Sequence, residues 1–291
     1  MATEPRFYQV EKDGPVIIWK FSNPPRNLAT IESGTELEQL VEEFDKDPEL
    51  RVGIMTSATP GMFIQHFDVS SILGWAEQMG KASDEEIRQL LGSFPPPRGI
   101  ADHTSKPIIC AINGPVEGGG CEMALGCDLR FISREAFMGQ PEVNGGFPPG
   151  GGGTQRLARL VGVSKAMELC LTGRRIYPDE AERLGLVVKA CHPAELMPTV
   201  MAFAHELAAK PPQAVSIIKR AIYEGSNMTL PDGLMLEREL FFEAIRTEDA
   251  LNIMRLYVAV GQDREKLAAL AEEAGQDPEK IAELLAKEKD K

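Results

Sequence analysis

Gly118-Gly119-Gly120-Cys121-Glu122, then Gly139-Gln140-Pro141-Glu142, then the run Phe147 to Thr154 (FPPGGGGT) form the stretch whose reading decides the fold. Three glycines after an apolar strand let the backbone turn sharply and approach a ligand closely, and the short apolar residues that follow (Cys121, Met123, Ala124, Leu125) suit a buried helix. A helix starting there aims unpaired N–H groups at the ligand, where they stabilise an oxyanion better than a neutral carbonyl. Glu122 lies in the first turn of that helix, and Glu142 lies just past a proline in glycine-rich, mostly uncharged sequence. Two carboxylates and an oxyanion site point to acid–base chemistry beside a carbonyl.

Outward from this stretch, the chain has an α/β pattern first and helices alone afterwards. Phe7 to Glu11, Asp13-Gly14 and Val16 to Phe21 read as a hairpin. Two prolines make Asn23 to Asn27 a loop, Ser33 with Glu36 has the spacing of a capping box for a helix over 34–46, and Val52 to Thr56 is a short strand. Ile108 to Asn113 reads as a buried strand and Leu129 to Ser133 as another. Gly145 to Gly153 is too rich in glycine and proline for regular structure, with Thr154 expected to cap a helix over 155–160. Pro178 to Arg183 is a short helix and Leu186 to Cys191 a strand, and beyond Leu196 only helical patterns follow. A mixed run followed by helices alone predicts a core over 1–195, a helical domain over 196–262 and a charged helical tail over 263–291.

Composition narrows the classes. The 291 residues are 43% hydrophobic, ample for a large core, and the first twelve residues hold no apolar signal core. No run of eighteen apolar residues suggests a membrane span. Five cysteines, odd in number and without a CxxC pair, read as reduced residues of a cytoplasmic protein. A net charge of −13 argues against nucleic acid or an anionic membrane as partner. The glycine runs lack the Gly-Lys-Ser/Thr of a phosphate-binding loop, and no tight His/Cys/Asp cluster suggests a metal.

The segments Pro107 to Asp128 (PIICAINGPVEGGGCEMALGCD), Phe137 to Glu142 (FMGQPE) and Gly150 to Leu160 (GGGGTQRLARL) resemble the crotonase family, specifically its enoyl-CoA hydratases. The resemblance is dense from Pro107 to Val188 and looser from Phe7 to Ser71. It implies a crotonase-like spiral of ββα units with a C-terminal helical oligomerisation domain, assembled as a homotrimer or hexamer. It also implies an acyl-CoA thioester as substrate, with coenzyme A as part of it and no metal or other cofactor. By the same resemblance Phe63 to Ser70 (FIQHFDVS) matches a family segment that usually reads Phe-x-x-Gly-Ala-Asp-Leu/Ile, so the backbone N–H groups of Phe67 and Gly119 become the oxyanion donors. Glu122 is then assigned to the attacking water and Glu142 to the α-carbon. On the substrate side the resemblance places Arg26, in a loop that meets coenzyme A phosphates, with His66, Asp68 and Val69. Asp68 also reads as the cap of a helix over 69–75.

Departures from the family pattern are equally specific. His66 and Phe67 replace Gly and Ala, Glu117 stands where an apolar residue is usual, and a longer segment over 74–104 includes Phe94 to Gly99 (FPPPRG). That segment reads either as a substrate-shaping lid or as a surface loop. After Thr247-Glu248-Asp249 the expected Lys-Arg pair is missing. Hydration of a 2-enoyl thioester fits two retained carboxylates. The alternatives within the family are isomerisation, thioester or carbon–carbon hydrolysis, and hydration of a bulky or aromatic acyl group; outside it, a non-catalytic binding protein on the same fold. A glycosidase would need a sugar-stacking groove that two Trp and four Tyr do not favour.

Overall fold

A computed structural model describes residues 5–93 and 97–273, together with 280, 283 and 286. Phe94 to Pro96 lie outside the described residues, as does most of the expected tail beyond Glu273. The chain divides into two compact units, Met1–Lys210 and Pro211–Lys291.

In the first unit a hairpin, β1 (Tyr8–Asp13) and β2 (Val16–Phe21), turns at Gly14, whose φ of 55° lies in the left-handed region that the Asp-Gly pair was read to supply. The helix α1 (Ile31–Lys46) and strand β3 (Val52–Ser57) follow. Beyond them lie α2 (Val69–Met79), α3 (Asp84–Ser93), β4 (Ile108–Ile112), the two-residue β5 (Val116–Glu117) and α4 (Gly118–Leu125). Then come β6 (Leu129–Ser133), β7 (Met138–Gly139), α5 (Gly153–Val161), α6 (Val163–Thr172), β8 (Arg175–Ile176), α7 (Pro178–Arg183), β9 (Lys189–Cys191) and α8 (Pro193–Ala208).

Six strands form one sheet in the order β1-β2-β3-β4-β6-β9, with β1 antiparallel to β2 and every other pair parallel. The strands β3 and β4 are buried throughout, as a parallel sheet covered on both faces requires. Alternate residues feed two cores. Ile17, Trp19, Met55, Cys110 and Ile132 join Leu37, Val41 and Phe44 of α1 and Cys121 and Ala124 of α4. On the other face Ile18, Ile54, Ile109 and Phe131 pack with Leu196, Val200 and Ala204 of α8. A second, three-stranded sheet runs β5-β7-β8.

Several local expectations change. Thr30, not Ser33, caps α1: its side chain accepts from Ser33 N–H, and Ser33 answers by accepting from Thr30 N–H. Glu36 is drawn instead to the chain's beginning, where its carboxylate accepts from the N–H groups of Arg6, Phe7 and Tyr8 at 2.9, 2.8 and 3.1 Å. Glu142–Gly145 forms a turn of 3₁₀-helix, and α5 starts at Gly153 behind Gly152 in the left-handed region, so Thr154 sits inside the helix it was expected to cap. The strand expected from Leu186 begins only at Lys189, because the Leu186 and Val187 N–H groups turn back to the Ala181 carbonyl of α7, at 2.9 and 3.4 Å. The expected boundary between 195 and 196 falls within α8, whose apolar face covers the sheet; the compact unit runs to Lys210.

The second unit holds α9 (Pro212–Gly225), α10 (Leu230–Ala244), α11 (Glu248–Ala259) and α12 (Arg264–Glu273). Thr229 and Thr247 cap α10 and α11 by accepting from Asp232 and Ala250 N–H. Between α9 and α10 the backbones approach closely, and a Cβ on Gly233 would stand 3.2 Å from the Gly225 carbonyl oxygen. No helix among the described residues is long and apolar enough to cross a membrane.

Candidate active site

The glycine turn is built by close approach. The segment Ile64 to Phe67, after β3, lies directly on Gly118 to Gly120: a Cβ on Gly120 would come within 2.1 Å of the Ile64 carbonyl oxygen, and one on Gly119 within 2.6 Å of Phe67 Cβ. Side chains at these positions would push the segment away, so the glycines are a packing requirement. Phe67 pairs with Ala29 as a parallel bridge in which Ala29 N–H donates to the His66 carbonyl (2.9 Å) and Asp68 N–H to the Ala29 carbonyl (2.8 Å). In that pattern the N–H of Phe67 points away from Ala29. The Phe67 nitrogen lies beside Gly119, whose absent Cβ would stand 3.2 Å from it. Gly119 N–H belongs to the first turn of α4, where no carbonyl four residues back exists to receive it.

Phe67 and Gly119 line a cavity of about 870 Å³. Glu122, Glu142, Glu117, His66 and Val69 line it, with Ile72, Trp75, Met123 and Phe147 giving much of its apolar wall. The Phe67 and Trp75 rings stack at 5.8 Å. Pro97 to Ile100, from the longer segment, also line it, so part of that segment borders the cavity. Asp68 and Arg26 do not line it. Asp68 caps α2, accepting from Ser70 N–H at 3.2 Å, and Arg26 is exposed on the loop after β2.

Glu122 and Glu142 are 6% and 9% exposed, and their carboxyl groups are held differently. Glu122 Oε1 accepts from the N–H groups of both Gly151 and Gly153 at 2.7 Å. Gly151 stands so close that a Cβ there would meet Glu122 Oε2 at 2.7 Å. Burial raises the Glu122 pKa, while the two N–H groups and the nearby Arg156 guanidinium pull it back. Arg156 itself donates to the Gly151 carbonyl at 2.7 Å and so braces the glycine loop. Burial pushes Glu142 up to about 7, opposed by a bond to its own backbone and reinforced by the negative charges of Glu122 and Glu117. With its amide nitrogen turned toward the carboxyl, Gln140 donates to Glu142 at 2.8 and 3.1 Å. Both carboxyl groups are thus raised, Glu142 to about 7, and they differ in that only Glu122 accepts two backbone N–H groups that favour its ionised form.

His66 Nδ1 lies 2.8 Å from the Phe67 carbonyl oxygen, which can only accept, so Nδ1 carries the proton. Gln140, Arg156 and the glycines that hold Glu122 were not singled out from sequence. Gln140 sits in the same Gly-Gln-Pro-Glu run as Glu142, which was the available signal. The Gly151 and Gly153 contacts have none, because they join positions 29 and 31 residues away. Among the described residues no group of three His, Cys, Asp or Glu could hold a metal ion.

Known proteins carry the same plan. A short-chain-enoyl-CoA hydratase of Clostridium acetobutylicum is 36% identical over 255 residues, covering 86% of this chain and 93% of its own. A crotonyl-CoA hydratase of Syntrophomonas wolfei is 34% identical over 231 residues, covering 79% and 86%. The crystal structure of an enoyl-CoA hydratase subunit from Geobacillus kaustophilus superposes with a TM-score of 0.77 at 32% identity, covering 88% of this chain and 96% of its own. The enoyl-CoA hydratase/isomerase family model matches residues 11–263, the span that contains both sheets apart from the first three residues of β1, the glycine turn and the two carboxylates, and the chain belongs to that family.

Proposed function

We propose that the protein adds water to the double bond of a 2-enoyl-CoA thioester, giving the 3-hydroxyacyl thioester. The observation that carries the reading is the convergence of Glu122 and Glu142, both buried, with Phe67 and Gly119 on one largely apolar cavity. Relatives named as hydratases of short-chain enoyl-CoA and crotonyl-CoA support it.

The thioester carbonyl oxygen accepts from Phe67 and Gly119 N–H. This draws electrons from the conjugated double bond and makes the β-carbon electrophilic; such donors are worth about 3–4 kcal/mol each where charge develops. Glu122 takes a proton from water, and the hydroxide oxygen bonds to the β-carbon. The α-carbon of the resulting enolate takes the proton of Glu142. Hydroxyl and hydrogen have then added across the bond, and proton exchange restores the carboxyl pair. The N–H groups of Gly151 and Gly153 orient Glu122 for the first transfer, and burial favours the protonated form of Glu142 for the second.

The acyl group lies along the apolar wall, beside His66 and Val69. Coenzyme A enters as part of the substrate, its phosphates meeting Arg26 on the exposed loop, and no further cofactor takes part. The second unit joins chains into a homotrimer or a pair of trimers. Five cysteines without a disulfide support a cytoplasmic location.

Loss of the conjugated-thioester absorbance of crotonyl-CoA tests the reaction. The wild type should consume it and yield the 3-hydroxyacyl product, while Glu122→Gln and Glu142→Gln each fall by about 10²–10⁴-fold. A folded wild type silent on crotonyl, longer and aromatic enoyl thioesters overturns the proposal.

A further inference from the structure

Glu117 has no part in the hydration steps above, yet it lines the same cavity. It ends β5 opposite Gly139 of β7, and Gly139 stands opposite Arg175 of β8. The three positions share one face of the small sheet. With no side chain at the middle position, the outer two meet across it. Arg175 Nε lies 3.6 Å from Glu117 Oε1, and the Arg175 guanidinium also stacks on the Phe137 ring at 4.1 Å. A Cβ on Gly139 would touch the Glu117 carboxylate at 3.6 Å. Gly118, next in the chain, has its Cβ direction aimed at Glu142, where a methyl group would stand 3.3 Å from Oε1. The Glu142 carboxyl therefore rests on the backbone that carries Glu117.

We propose that Glu117 is a positioning residue that acts on Glu142 through charge, and that Arg175 sets how much of that charge Glu142 feels. Two like charges facing one low-dielectric cavity disfavour each other, so an ionised Glu117 keeps the proton on Glu142 to higher pH. The other groups facing Glu142 are Glu122 and Cys121 from α4, His66 from the segment before α2, Gln140 after β7 and Cys170 from α6. Arg156, from α5, faces Glu122 instead. Among these Glu117 is set apart because it is tied to a half-exposed guanidinium on β8, across β7, whereas Glu122 is fixed by backbone. The consequence for catalysis rests on the hydration reading, in which Glu142 delivers the proton; the charge coupling does not.

The test follows the ¹³C carboxyl resonance of Glu142 through a pH titration of the substrate-free enzyme, assigned by its loss in Glu142→Gln, beside the pH profile of kcat/KM. In Glu117→Gln the Glu142 midpoint should move down by on the order of half a pH unit, and the alkaline limb of activity with it. Arg175→Gln should move both up, and Glu117→Asp should leave both near wild type. A Glu117→Gln enzyme with wild-type thermal stability and an unmoved Glu142 midpoint overturns the proposal, as does an equal shift in Glu117→Asp. Should the midpoints move as stated in an enzyme that hydrates no enoyl thioester, the coupling stands and the hydration reading falls.

Discussion

At Glu122 one carboxylate oxygen collects two backbone N–H groups at 2.7 Å, whereas Glu142 relies on Gln140 and its own turn while facing two other carboxylates. Identical side chains therefore sit at different points of the proton balance. For Glu142 the folded pKa of about 7 lies above its ordinary 4.5, so the folded state binds more protons than the unfolded one between those values. Stability contributed by protonated Glu142 is thus full below about 4.5 and lost as pH rises through 7. Removing the charge should reverse this. Glu142→Gln is expected to raise the melting temperature relative to wild type at pH 8 but not at pH 4.5, the free-energy gain at pH 8 being on the order of 3 kcal/mol or less. Calorimetric melts at the two pH values check it, and an equal change at both refutes the pH-dependent cost. Activity should fall on the same alkaline side, as the acid that feeds the α-carbon loses its proton. Both carboxylates could be picked out in the sequence, since each lies in an uncharged glycine-rich run, but not their different holders, which depend on where Gly151 and Gly153 return.

Among the elements, β2 and β3 show how one glycine sets a layer. Trp19 is fully buried under α1, stacking edge-on to Phe44 at 5.4 Å, and a Cβ on Gly53 of β3 would come within 2.5 Å of its ring. Adding that methyl must move the indole or the strand. Gly53→Ala is expected to destabilise the protein by about 1–3 kcal/mol in urea unfolding, with the denaturant slope unchanged. A variant as stable as wild type would show that the layer yields freely. The strands themselves were legible because short apolar runs rich in β-branched residues mark them. The capping of α1 was not, because Ser33 and Thr30 both suit a cap and only the path of the N-terminal segment decides that Glu36 binds Arg6 to Tyr8 instead.

For the whole molecule, Met1–Lys210 holds the sheets and the cavity, and Pro211–Lys291 is a second compact unit of helices. In that unit Ile218, Ile222, Leu234, Phe241 and Phe242 are all more than half exposed, more large apolar surface than a lone helical unit ordinarily shows to water. Light scattering should give three or six times the 31.9 kDa of one chain, and Phe241→Glu with Phe242→Glu should reduce it. A monodisperse wild-type monomer refutes the assembly. What the sequence determined by itself is whatever is written locally: strand and helix periods, the glycine turn, the two carboxylates in their uncharged surroundings, and through these the family. What only the tertiary structure decided is whatever depends on segments distant along the chain. That includes α8 covering the sheet, Gly151 and Gly153 holding Glu122, Asp68 and Arg26 lying outside the cavity's lining, and Glu117 meeting Arg175 across a glycine. The physical reason is that propensity and periodicity act over a few neighbouring residues, while burial and charge, which set the chemistry of a carboxyl group, are summed over everything the fold brings near it.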